Sequence, residues 1–155
     1  MQENILKTLI FFDLFNYPLT QDEIFECLKM RHKASLQNME KSLKELTKKG
    51  EINRKEGYYF LKNRDSLVEL RKEKKKISLK KIKKAKRATF FLKNIPGVRA
   101  IILTSSLSYH NANNKSDIDV LIITQNRRIW TTRFLTTVWF KIFNLRPTEN
   151  QHKDK

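Results

Sequence analysis

Apolar positions in the first third of the chain recur at helical spacing. Ile5, Leu6, Leu9, Ile10, Phe12 and Leu14 form a stripe that predicts a helix, and Asn16-Tyr17-Pro18 ends it, because proline and its predecessor disfavour helical continuation. Thr20-Gln21-Asp22-Glu23 has capping-box spacing and predicts a second helix through about Met30. Leu36, Met39, Leu43 and Leu46 predict a third, from about Ser35 to Lys49, with Gly50 as its stop. The period then changes: Ile52 to Lys55 and Tyr58 to Leu61 flank Glu56-Gly57, which reads as a β-hairpin. From Asp65 to about Lys93 there is no Gly or Pro. Leu67, Leu70, Ile77, Ile82, Ala85, Ala88 and Leu92 share a broad face there, predicting one long helix ended by Asn94-Ile95-Pro96-Gly97. Val98 to Thr104 reads as a short buried strand, Ser105 to Ser116 as a polar loop, and Asp117 to Thr124 as a second buried strand. A last amphipathic helix, from about Arg127 to Leu145, carries Ile129, Trp130, Phe134, Leu135, Val138, Trp139, Ile142 and Phe143, whose spacing reads as a core face. The pattern predicts an α+β chain in three parts: residues 1–62, a connecting helix over 63–95, and 96–155.

Charge separates these parts. Of the formal net +17, residues 63–99 hold 14 Lys and Arg against 3 Asp and Glu, whereas residues 1–62 hold 11 against 9. The basic helix spans 71–87, with Lys72, Lys74, Lys75, Lys76, Lys80, Lys81, Lys83, Lys84, Lys86 and Arg87 off its apolar face. A solvated face is one reading of such a run; attraction to a nucleic acid by counterion release is the other. An anionic membrane surface fits poorly, since the apolar face has no large aromatic before Phe90-Phe91, and no run reaches the length of a membrane span. The start, MQENILKTLIFFDLF, is interrupted by Lys7 and Asp13 and does not resemble a signal peptide. Cys27 is the single cysteine and lies in a helical apolar pattern, so a structural thiol in a reducing, cytoplasmic compartment is expected.

The candidate chemistry lies in Asp117-Ile118-Asp119. On a strand, side chains two apart share a face, so the two carboxylates project together while Ile118 and Val120 turn to the packed side. Paired hard oxygen donors suit Mg²⁺, or Mn²⁺, held with the phosphates of a substrate; the plain alternative is a strand end with two solvated acids.

The segment TSSLSYHNANNKSDIDVLII resembles the signature of the DNA polymerase β nucleotidyltransferase superfamily: an apolar strand, Gly-Ser or Gly-Gly, a gap of about ten residues, then Asp-x-Asp or Asp-x-Glu. The resemblance covers about residues 96–146. It implies transfer of a nucleoside monophosphate from a nucleoside triphosphate to a hydroxyl acceptor by metal-assisted in-line displacement. It makes Asp117 and Asp119 metal ligands and Ser106 the phosphate-contacting serine, with Ser105 where the family usually has glycine. Lys115 and Ser116, directly before Asp117, are further candidates for the triphosphate, although Ser116 also suits a turn hydrogen bond. His110 in the same loop reads as solvent-exposed or as a phosphate contact. The family adds a third acid on the next strand. Only Glu149 and Asp154 remain here, in a polar tail without alternation, so the transferase-like part reads as truncated. The alternative is a nucleic-acid-binding or regulatory protein with a degenerate transferase domain.

Residues 3–62, three helices and a terminal hairpin, resemble a winged helix-turn-helix domain. That resemblance implies a third helix in the major groove through Gln37, Asn38, Lys41, Lys44 and Lys48, with Arg54 and Lys55 on the wing. The net charge of +2 leaves a protein-packing module equally open.

Overall fold

The computed structural model describes residues 1–31 and 35–142. Phe143, Glu149 and Asp154, like His32 and His152, fall outside them. The fold is α+β. In chain order the elements are α1 (Gln2–Asp13), β1 (Leu19–Thr20), α2 (Gln21–Arg31), α3 (Leu36–Lys48), β2 (Ile52–Lys55), β3 (Tyr58–Leu61), α4 (Ser66–Leu92), β4 (Val98–Leu103), α5 (Ser105–Ser108), β5 (Val120–Thr124) and α6 (Ile129–Ile142). They fall into two compact units, Met1–Lys76 and Ile77–Lys155, so that α4 contributes to both.

In the first unit, Ile5 and Leu9 of α1, Ile24 and Leu28 of α2, and Met39, Leu43 and Leu46 of α3 meet Leu19, Ile52 and Tyr59 in one core. The capping box forms as its spacing requires. Thr20 N donates to Glu23 Oε2 at 2.8 Å, and Glu23 N to Thr20 Oγ1 at 3.3 Å, satisfying two donors that the first turn of α2 would otherwise leave open. The β2–β3 hairpin turns on Glu56 (φ 52°) and Gly57 (φ 83°), the pair of positive φ values that matches strand twist in a two-residue loop. Pattern reading omits β1, whose two residues pair with Tyr59 and Tyr58 of β3 to complete a three-stranded sheet in the order β1-β3-β2. The α1 stripe is only half used: Ile10 is 51% and Leu14 74% exposed. Cys27 is half-buried.

Arg71, the first cation of the basic helix, belongs to this unit and not to a free surface. It is buried, donates through Nη1 to Pro18 O at 2.7 Å and through Nη2 to Glu23 Oε1 at 2.5 Å, and lies 3.6 Å from the centroid of the Tyr17 ring. A buried guanidinium needs such partners, because desolvation without them is prohibitive. Lys72 is likewise engaged, with Glu56 and Glu69.

In the second unit, β4 and β5 pair antiparallel, Ile101 opposite Ile122 and Leu103 opposite Val120, with an irregularity between Val98 and Ala100. Neither strand is buried on both faces, as its apolar run suggests. Ile102 (44% exposed), Leu121 (53%) and Ile123 (44%) lie bare on one side, because no element among the described residues covers it. The apolar face expected of α6 is also corrected. Ile129, Trp130, Phe134 and Ile142 are exposed, while Thr132 and Thr136 are buried. The small threonines allow close approach: Thr132 Oγ1 donates to Pro96 O at 3.3 Å and sits where a side chain on Gly97 would stand. Among the described residues no helix is long and apolar enough to cross a membrane.

Candidate functional site

The Asp pair is carried by the extended lead-in to β5. Exposure alternates strictly: Asp117 and Asp119 are exposed, while Ile118 and Val120 are half-buried, so both carboxylates do share one face. The β4–β5 ladder extends one step past its last paired residues, since Thr104 N donates to Asp119 O at 3.1 Å. That bond ties the residue before Ser105-Ser106 to the second aspartate of the pair, although the two motifs are more than ten residues apart in sequence.

Ser105 opens α5 with φ 58°, in the left-handed region that favours glycine. The turn therefore has the backbone shape of a glycine turn while carrying a serine. Ser105 O accepts from Ser108 Oγ at 2.7 Å, and the half-buried Ser106 accepts through its carbonyl from Asn111 N at 2.8 Å. Buried Leu107 and Ala112 pin the loop, and Ala112 N donates to Oγ of the fully buried Ser78 on α4 at 3.1 Å. His110 is half-buried and not an open loop histidine; its Nδ1 is buried with no hydrogen-bond partner among the described residues.

The stretch before Asp117 is organised by Asn113. Its Oδ1 accepts from Lys115 N at 2.9 Å, Ser116 N at 2.8 Å and Ser116 Oγ at 3.0 Å. The Ser116 hydroxyl is thus held inside a turn, whereas the Lys115 side chain is exposed. Lys81 of α4 closes the arrangement by donating through Nζ to Asn114 O at 3.1 Å and to Ser116 O. One lysine of the basic run therefore fixes the loop that delivers the Asp pair.

The whole stretch Asp117, Ile118, Asp119 and Val120 lines a cavity of about 480 Å³ together with Lys84, Ala85, Ala88 and Thr89 of α4 and Phe140 of α6, so the cavity takes in the half-buried Ile118 and Val120 as well as the two acids. Ser105, Ser106, Lys115 and Ser116 are not among its lining residues. Lys84 and Phe140 are the residues that sequence reasoning did not place here; helical phase makes Lys84 one basic residue among many and leaves Phe140 outside the apolar face of α6. Among the described residues neither carboxylate is in an ion pair, and no three His, Cys, Asp or Glu side chains come together. Set against protein-family models, curated proteins and solved structures, the chain matches none of them.

Proposed function

We propose that the second unit is a nucleotidyltransferase-like domain acting on a nucleoside triphosphate and a hydroxyl acceptor. The observation that carries the reading is the Thr104–Asp119 ladder bond, which sets a glycine-shaped Ser105-Ser106 turn at the head of the strand pair whose other member presents two same-face carboxylates. Asp117 and Asp119 supply oxygen donors only, are exposed, and carry no competing ion pair among the described residues. That donor set fits Mg²⁺ or Mn²⁺ held by one or two carboxylates plus phosphate oxygens. A cation of that kind, when bound, supplies positive charge beside the phosphates being transferred. The chain's own contribution is positional: the Asp pair fixes where charge is held, Ser105 and Ser106 offer donors at the turn, and exposed Lys115 and Lys84 are cations available to a triphosphate. The test is incubation of the protein and of an Asp117→Ala/Asp119→Ala variant with Mg²⁺ and labelled nucleoside triphosphates. Metal-dependent incorporation or self-modification is expected from the parent alone, and equal signal from both would remove the reading.

The first unit is read as a winged helix-turn-helix domain. Its order of helices and hairpin supports this, as does a third helix whose Gln37, Asn38, Lys41, Lys44 and Lys48 are all exposed. A second reading, nucleic-acid binding by a degenerate transferase, draws on the exposed cations of α4 and on the side chain that Ser105 places at a glycine-shaped turn.

A further inference from the structure

Beyond the Asp pair, the second unit has a cationic cleft of about 350 Å³ where the end of α4 passes β4. Lys86, Phe90 and Lys93 line it from the helix, and Arg99, Ala100 and Ile101 from the strand. Lys86 and Lys93 lie two turns apart and Phe90 between them, so the three project to one side of the helix. The Phe90 ring is 55% exposed, with Lys93 Nζ 4.0 Å from its centroid and Phe91 meeting it edge-on at 5.5 Å. Among the described residues Lys86, Lys93 and Arg99 are in no ion pair. Three cations in no ion pair, around an aromatic ring that is still about half exposed, point to their ligand: phosphates for the charges and a flat π-system for the open part of the ring. A duplex keeps its bases stacked on one another and has none to offer Phe90, and an acidic peptide would satisfy the cations but leave the ring bare.

We propose that this cleft binds an unpaired nucleic-acid strand, one base stacked on Phe90 and the flanking phosphates held by Lys86, Lys93 and Arg99. Thr89 lines both this cleft and the cavity at Asp117 and Asp119, so the two adjoin. The cleft thereby names a substrate class for the proposed transferase, and it rests on that reading only for the use made of the bound strand.

The experiment is fluorescence anisotropy with a labelled short oligothymidylate and a blunt hairpin duplex, over a range of salt and without Mg²⁺ or nucleotide. The single strand should bind more tightly than the duplex. Phe90→Ala should weaken single-strand binding about five-fold or more and leave duplex binding unchanged, while Phe90→Trp should restore it. Lys86→Gln, Lys93→Gln and Arg99→Gln together should lower the salt slope by about two, at ~0.7 per lost phosphate contact on a single strand. Unchanged affinity in Phe90→Ala, equal loss on strand and duplex, polyglutamate binding as tight as the strand, or no binding by the parent would each overturn the proposal. Assaying parent and Asp117→Ala/Asp119→Ala variant for both properties separates the two readings: the variant should lose metal-dependent transfer and keep strand binding, strand binding without metal-dependent transfer in the parent removes only the transferase, and transfer without strand binding removes only the cleft.

Discussion

Two residues show how local backbone and burial set measurable quantities. Ser105 holds φ 58°, a conformation that costs an ordinary L-residue about 1–2 kcal/mol and glycine almost nothing. Ser105→Gly should therefore stabilise the protein by about 0.5 to 1 kcal/mol in urea denaturation, after the extra chain entropy of glycine is set against the relieved strain; a loss of stability would mean that the serine side chain outweighs it. Tyr17 gives up its proton at higher pH than an exposed phenol. Burial pushes its pKa above the ordinary 10, with the Arg71 charge opposing and Glu23 reinforcing the shift. A raised folded pKa favours the neutral phenol, so its contribution is complete below about pH 10 and is lost as pH rises through the raised value. Stability of the parent should fall more steeply above pH 10 than that of Tyr17→Phe, which cannot ionise there. Parallel curves would show that Tyr17 ionises alike in the folded and unfolded chain.

At the scale of elements, Gly97 is the point where α6 meets the turn after α4. A Cβ there would stand 2.6 Å from Thr132 Oγ1 and 3.2 Å from Arg128 Cβ, on a backbone at φ 93°. Gly97→Ala should destabilise by about 2 kcal/mol, from strain and overpacking together. Adding Thr132→Ala should recover part of that loss, and strict additivity in the double-mutant cycle would show that the two positions are not in contact. The same contact explains what was and was not legible in the sequence. The hairpin and α4 could be read because turn chemistry and an unbroken helical period are local properties. β1 could not, since two residues have no period. The face of α6 was read from its large apolar side chains, yet packing follows fit: Thr132 is buried against the turn at Pro96 and Gly97, while Trp130 stands 74% exposed. The Asp pair was legible from strand alternation, whereas Lys84 and Phe140 join it only through tertiary placement.

For the whole molecule, charge is the governing quantity, and the two units differ in it. By sequence, residues 1–76 carry 17 Lys and Arg against 12 Asp and Glu, and residues 77–155 carry 16 against 4. Not all of the basic helix is available to a partner: Arg71, Lys72 and Lys81 are engaged internally, while Lys75, Lys76, Lys80, Lys83, Lys84, Lys86 and Arg87 are exposed. Replacing Lys75, Lys76, Lys80 and Lys83 by Gln should weaken binding to structured RNA or duplex DNA and flatten its salt dependence, by about 0.9 in slope for each lost contact to a duplex. Lys41→Gln/Lys44→Gln/Lys48→Gln is the matching test of α3. If only the α3 set changes the slope, the helix run is a solvated face.

The bare side of the β4–β5 ribbon gives that charge a second consequence. Ile102, Leu121 and Ile123 form a sticky apolar strip on a two-stranded ribbon, the kind of surface on which strands of neighbouring copies stack. A formal +17 makes each copy repel the next, so colloidal behaviour rests on long-range repulsion more than on concealment of the strip. Salt shortens that repulsion to about 8 Å at physiological strength. The ionic conditions that release a polyanion from the lysines are therefore the conditions under which the molecules begin to attract one another.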